Sequence, residues 1–174
     1  MLSILIVEDE PLFAATLKHL IELDPMYNVT AVAEDSLEAL DAIAERTPDL
    51  ALVDLQLARG STGFSVAAKL AELEIPCLFT SGKAPSFPMP DLALGCLVKP
   101  FSHEDLVRAL KAAEDIIRGR ERLRPSRPKN LRIYSEAEVA AADPSAMAVE
   151  QTRPRSLKER ILRWLPHRRT VTSS

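Results

Sequence analysis

Residues 4–10 read ILIVEDE, four apolar side chains followed without a spacer by three carboxylates. An apolar run that does not alternate belongs to a strand buried on both faces, as in a parallel sheet covered by helices; a half-exposed strand would alternate. The acids therefore stand where such a strand leaves the core. Working outward, the first run extends over residues 2–7, and four more runs rich in Val, Ile and Leu follow at 27–33, 50–53, 76–79 and 95–98. Amphipathic periods separate them, and this alternation predicts an α/β fold with a doubly wound, five-stranded parallel sheet.

The helical periods are carried by Phe13, Leu17, Leu20 and Ile21; by Leu37, Leu40 and Ile43, with Ser36 as the expected cap; and by Phe64, Ala67, Ala68 and Ala71. The last opens at Ser102, where Ser102 and Asp105 have capping-box spacing, and turns Leu106, Leu110, Ala113 and Ile117 inward. Between Gly82 and Gly95 stand Pro85, Pro88 and Pro90. Each proline removes a donor and clashes one turn back, so the fourth helix is reduced to a short turn at most.

The 174-residue length excludes a large multidomain enzyme. The chain is 47% hydrophobic, yet no stretch approaches the ~18 apolar residues of a spanning helix. MLSILIVEDE lacks the basic start of a secretory signal, so a cytoplasmic location is expected. Cys77 and Cys96 are too few for a disulfide framework and read as buried structural thiols.

The net charge of −3 hides an asymmetry. Residues 1–117 carry 8 Lys+Arg against 19 Asp+Glu, a balance of −11; residues 118–174 carry 14 against 6, a balance of +8. In the second stretch Leu, Ile, Val and Phe number ten of 57, below the ~20% at which a charged chain usually orders. The expected organisation is an acidic domain over 1–118 and a basic, mostly disordered tail over 119–174. Within that tail Ser135 with Glu138, and Ser156 with Glu159, have cap spacing. Leu157, Ile161, Leu162, Trp164 and Leu165 make a possible amphipathic basic helix over 157–165. Such a segment suits an anionic membrane surface, a partner protein or the acidic domain itself; no DNA-reading module fits, so sequence-specific nucleic acid is not expected.

Chemistry in an open parallel sheet collects beyond the carboxyl ends of the strands. Those ends deliver Glu8 and Asp9, then Asp54, then Thr80 and Ser81, then Lys99 followed by Pro100. Two carboxylates ~6 Å apart at an effective dielectric near 20 repel by ~3 kcal/mol, so three together call for a cation or take up protons. An all-oxygen pocket without His or Cys suits magnesium, which accepts few carboxylates, retained waters and a phosphate oxygen.

Four separated motifs, ILIVEDE (4–10), LALVDLQL (50–57), CLFTSG (77–82) and GCLVKPF (95–101), resemble the response-regulator receiver domain of two-component signalling, over residues 2–117. The resemblance implies the flavodoxin-like strand order 2-1-3-4-5. It also implies that Asp54 accepts a phosphoryl group from a histidine kinase or histidine phosphotransfer protein and that Mg2+ is held by Asp9, Asp54, Glu8 partly through water, and the backbone carbonyl of Gln56. Ser81 would bind a phosphoryl oxygen, Lys99 would pair with its charge, and the Lys99–Pro100 bond would be cis. Gln56 and Lys83, two positions beyond acceptor and hydroxyl, would tune hydrolysis. No external substrate turnover is implied.

Three features depart from the family. Cys96 stands where an aromatic residue is usual, the interval from Ser81 to Lys99 is about four residues short, and the loop after Asp54 is one residue long. The favoured expectation is a phosphoacceptor switch acting on an unknown output protein. A phosphate shuttle or sink, and a non-phosphorylated adaptor of the same fold, are the alternatives. An aspartyl-phosphate phosphatase would need an acid two positions after the nucleophile, where Gln56 stands. A flavin carrier would need a phosphate loop that is absent.

Overall fold

The structure, a computed structural model, describes residues 1–57, 60–120 and 127–134. β1 (Leu2–Val7), β2 (Tyr27–Ala33), β3 (Leu50–Asp54), β4 (Cys77–Ser81) and β5 (Gly95–Val98) pair in parallel in the order β2-β1-β3-β4-β5. The unbroken apolar run in β1 has a direct cause. Ile4 and Ile6 face a core shared with α1 (Pro11–Glu22) and α4 (His103–Ile117), through Leu17, Ile21, Leu106 and Leu110. Leu5 and Val7 face the opposite core, with Val66, Leu70 and Phe79, beneath α2 (Ser36–Glu45) and α3 (Gly63–Glu72). Both faces are covered, so alternation is lost.

The sheet has six strands rather than five. β6 (Leu131–Ile133) runs antiparallel along the free edge of β5, in the stretch read from sequence as tail. Its signal is local: Leu131, Ile133 and Tyr134 are buried while Arg132 points out, and the charges on either side mask this when composition is averaged. Gly95 permits the pairing, since a Cβ there would lie 2.2 Å from the Arg132 carbonyl oxygen. The helices expected from the caps at Ser135 and Ser156, including 157–165, lie outside the described residues.

Smaller expectations also need correcting. Asp35, not Ser36, caps α2: its carboxylate accepts from the Leu37 and Glu38 amides at 2.9 and 3.0 Å. A carboxylate there also meets the positive end of the helix dipole. Leu37 is consequently exposed, and Ala39 is the buried residue of that helix. The Ser102–Asp105 capping box forms as expected. Residues 82–94 form no helix; the Leu92 and Ala93 amides turn back onto the Met89 carbonyl, the short turn that the prolines allow. β4 extends through Thr80 and Ser81, so both hydroxyls sit on the sheet. Among the described residues no helix is long and apolar enough to cross a membrane.

α4 ends at Gly119, whose φ of 66° suits glycine, and the reversal brings Arg120 back over the helix. There Glu114 is buried yet paired with Lys111 at 3.1 Å, Arg118 at 2.9 Å and Arg120 at 3.2 Å. Burial alone would push its carboxyl up, but these cations outweigh it and hold the group below its ordinary value of 4.5. A depressed folded-state pKa contributes stability above pH 4.5 that is lost as pH falls through the folded value. Denaturant unfolding of Glu114→Gln should therefore show a deficit at neutral pH that shrinks steadily below that value. A pH-independent difference would contradict the assignment.

Candidate functional site

β1, β3, β4 and β5 end at the same edge of the sheet, and the parallel register decides which side chains meet. Asp54 pairs with Thr80, and Ser81 with Val98, which places Lys99 one step beyond Ser81. The Lys99 amide donates to the Ser81 carbonyl at 2.7 Å. From there the Lys99 ammonium reaches Asp54 Oδ2 at 2.6 Å and Glu8 Oε2 at 3.0 Å. Glu8 and Asp54 are buried, and the lysine side chain is 22% exposed.

Burial pushes the Glu8 carboxyl up, and the Lys99 hydrogen bond only partly offsets this. The same burial would lower the Lys99 ammonium, but the hydrogen bonds it donates to Asp54 and Glu8 prevail and hold it above its ordinary value. Lys99 therefore stays charged and neutralises part of a pocket that would otherwise be all carboxylate. Its Nζ also lies 4.1 Å from the centre of the Phe13 ring, a cation–π contact. Phe13 in turn meets Phe101 edge-on, with ring centroids 6.0 Å apart.

The sequence missed Phe13 as a site residue because it reads as one more apolar position of the α1 stripe. Gly63 was missed too. A Cβ on it would lie 2.2 Å from the Asp54 carbonyl oxygen, so α3 can start against β3 only because this position lacks a side chain. Its amide donates to the Leu55 carbonyl.

The other expected site residues fall around this centre. Glu8, Asp9 and Asp54 offer carboxylate oxygens that all lie within 4.8 Å of one another. An octahedral Mg2+ with ligands at ~2.1 Å spans oxygens up to ~4.2 Å apart, so this hard-oxygen set fits the ion, with one carboxylate acting through a retained water. The Gln56 amide donates to Asp54 Oδ1 at 3.0 Å, holding the loop backbone beside the carboxylate. Ser81 is buried with its Oγ accepting from the Lys83 amide at 3.3 Å, and the Lys83 side chain is exposed at the rim. The Lys99–Pro100 peptide bond is cis. Cys96 is buried opposite Phe79 in the β4–β5 register, and desolvation, with Asp54 nearby, pushes its thiol up to about 11. Cys77 is buried as well, and neither is a reactive thiolate.

Residues 4–111 match the family model described as "Response regulator receiver domain", and the chain belongs to that family. Relatives include the positive alginate biosynthesis regulatory protein of Pseudomonas aeruginosa, 37% identical over 118 residues, which span 64% of this chain and 47% of that protein. The phyllosphere-induced regulator PhyR of Methylorubrum extorquens is 35% identical over 116 residues, spanning 64% and 43%. This chain thus corresponds to less than half of either relative. Among solved structures, the signal receiver domain of a modulated diguanylate cyclase from Desulfovibrio desulfuricans G20 is 30% identical with a TM-score of 0.56, over 65% of this chain and 93% of that one. A CheY-like receiver domain from Methanospirillum hungatei JF-1 is 26% identical with a TM-score of 0.59, over 66% and 94%. A receiver domain is a phosphoacceptor rather than an enzyme acting on an external substrate.

Because Gly63 abuts the Asp54 backbone, Gly63→Ala should lower stability by about 1–3 kcal/mol, the usual cost of overpacking. Equilibrium urea unfolding measures this; an unchanged midpoint would mean that the helix start is free to move.

Proposed function

We propose that this chain is a phosphoacceptor response regulator: Asp54 receives a phosphoryl group from a histidine kinase or histidine phosphotransfer protein, and the modified domain signals by protein–protein contact. The observation that carries this reading is the 2.6 Å pairing of Lys99 with Asp54 in a pocket shared with Glu8 and Asp9. In the transfer, an Asp54 carboxylate oxygen forms the O–P bond as the P–N bond to the donor imidazole breaks, and the imidazole departs with the bonding pair. Such a transfer needs in-line placement and positive charge on the phosphoryl oxygens more than a base. Glu8, Asp9, Asp54 and the Gln56 carbonyl are the residues that would hold Mg2+, and the bound ion would supply part of that charge. Lys99 would follow the charge from carboxylate to phosphoryl, with Phe13 keeping its ammonium in the pocket. The Ser81 hydroxyl would donate to a phosphoryl oxygen once it turns from the Lys83 amide.

A phosphate shuttle or sink is the second reading. It is favoured by the missing helix between β4 and β5 and by Cys96, which together leave little of the usual moving surface on that side. A non-phosphorylated adaptor is the reading that a negative result would leave.

Incubation with a small phosphodonor and magnesium, followed by intact mass, should add one phosphoryl group to the parent and none to Asp54→Ala. An unmodified parent would refute the proposal. Since the Lys83 main-chain amide contacts the Ser81 hydroxyl and the residue is exposed, Lys83→Ala should change the decay rate of the phosphorylated form severalfold without changing which residue is modified. Equal decay rates would remove Lys83 from the mechanism.

A further inference from the structure

Asn130 lies in the turn leading into β6, beyond residue 111, where the family match ends. Its main-chain carbonyl accepts from the Val98 amide at 2.9 Å. Its side-chain Nδ2 donates to the Val98 carbonyl at 3.2 Å and reaches the Pro100 carbonyl at 3.5 Å. Those two carbonyls flank Lys99 on either side.

The segment that carries Lys99 is thus gripped from two directions. On the inner side the Lys99 amide is fixed to the Ser81 carbonyl on β4. On the outer side Asn130 joins the end of β5 to the Pro100 carbonyl just beyond Lys99. Without Asn130 the outer carbonyls lose their partner, and the four-carbon lysine stem starts from a looser backbone. The ammonium lies 2.6 Å from one carboxylate oxygen and 3.0 Å from another, so small backbone displacements change its charge placement.

We propose that Asn130 is a positioning residue for Lys99, so that the sixth strand is a working part of the phosphoacceptor site. The inference rests on the phosphoacceptor reading above. It brings the segment after residue 118 into the chemistry.

A double-mutant cycle on the full chain tests it, using a small phosphodonor, Mg2+ and intact mass to follow the rate of Asp54 modification. Asn130→Ala removes both side-chain donors, while Asn130→Asp keeps the shape and loses the amide hydrogens. Each should slow phosphorylation at saturating donor by ~5-fold or more, the scale on which misplacing a reacting group acts. Each should also leave the Val98 amide protected from hydrogen exchange, since its acceptor is the main chain. In a Lys99→Ala background Asn130→Ala should add no further loss; Lys99→Arg serves the same cycle if the alanine variant is too slow to measure. Rates within twofold of the parent, or losses that multiply independently of Lys99, would overturn the assignment. An unmodified parent would instead sink the underlying phosphoacceptor reading, so the two failures are distinguishable.

Discussion

Three carboxylates brought to one end of a buried sheet cannot coexist without positive charge, and this constraint governs the rest of the molecule. Lys99 answers it from within the chain, bridging Glu8 and Asp54. For one ammonium to serve both, β1, β3 and β5 must end at the same height, which the parallel registers through β3 and β4 ensure. Continuous apolar strands, helices on both faces and carboxylates at the rim are then parts of one arrangement. The core sets the strand ends, and the strand ends set the charges.

The framework leaves room for the site by omission as much as by contact. Gly63 lets α3 begin against the backbone of Asp54, and Gly95 lets β6 close on β5. In both places a single Cβ would collide with a carbonyl oxygen, so a small residue decides whether two main chains can meet. Near β5 the usual helix before the strand is reduced to a turn, and the edge it would flank is paired by β6. A free edge presents unpaired amides and carbonyls to any passing strand, and an appended antiparallel strand removes that hazard at β5. The cost is that residues after the family match become necessary to the sheet.

The charged cluster at the far end of α4 works by the same rule outside the pocket of Glu8, Asp9 and Asp54. Glu114 is buried only because Lys111, Arg118 and Arg120 surround it. The reversal at Gly119 is what returns Arg120 to the helix it has just left.

Much of this could be read in the order of residues. Strands at 2–7, 27–33 and 95–98 are bounded as expected, because a run of Val, Ile and Leu ended by acids or a lysine is a strong local signal. Glu8, Asp9, Asp54 and Lys99, which the fold brings together, could be read as neighbours for the same reason: each stands at the end of an apolar run or one place beyond it. What the order of residues could not supply was distance between segments. Phe13 looks like any core position until the fold puts Lys99 over its ring, Gly63 like any turn until α3 meets Asp54, and residues 130–134 like a charged tail until the β5 edge receives them. Local periodicity and charge determine which elements form and which residues stand at their ends. Only the packed sheet decides which main chains approach closely enough that a missing Cβ or a single asparagine amide matters, since those contacts join positions 9 to 86 residues apart and leave no trace in local composition.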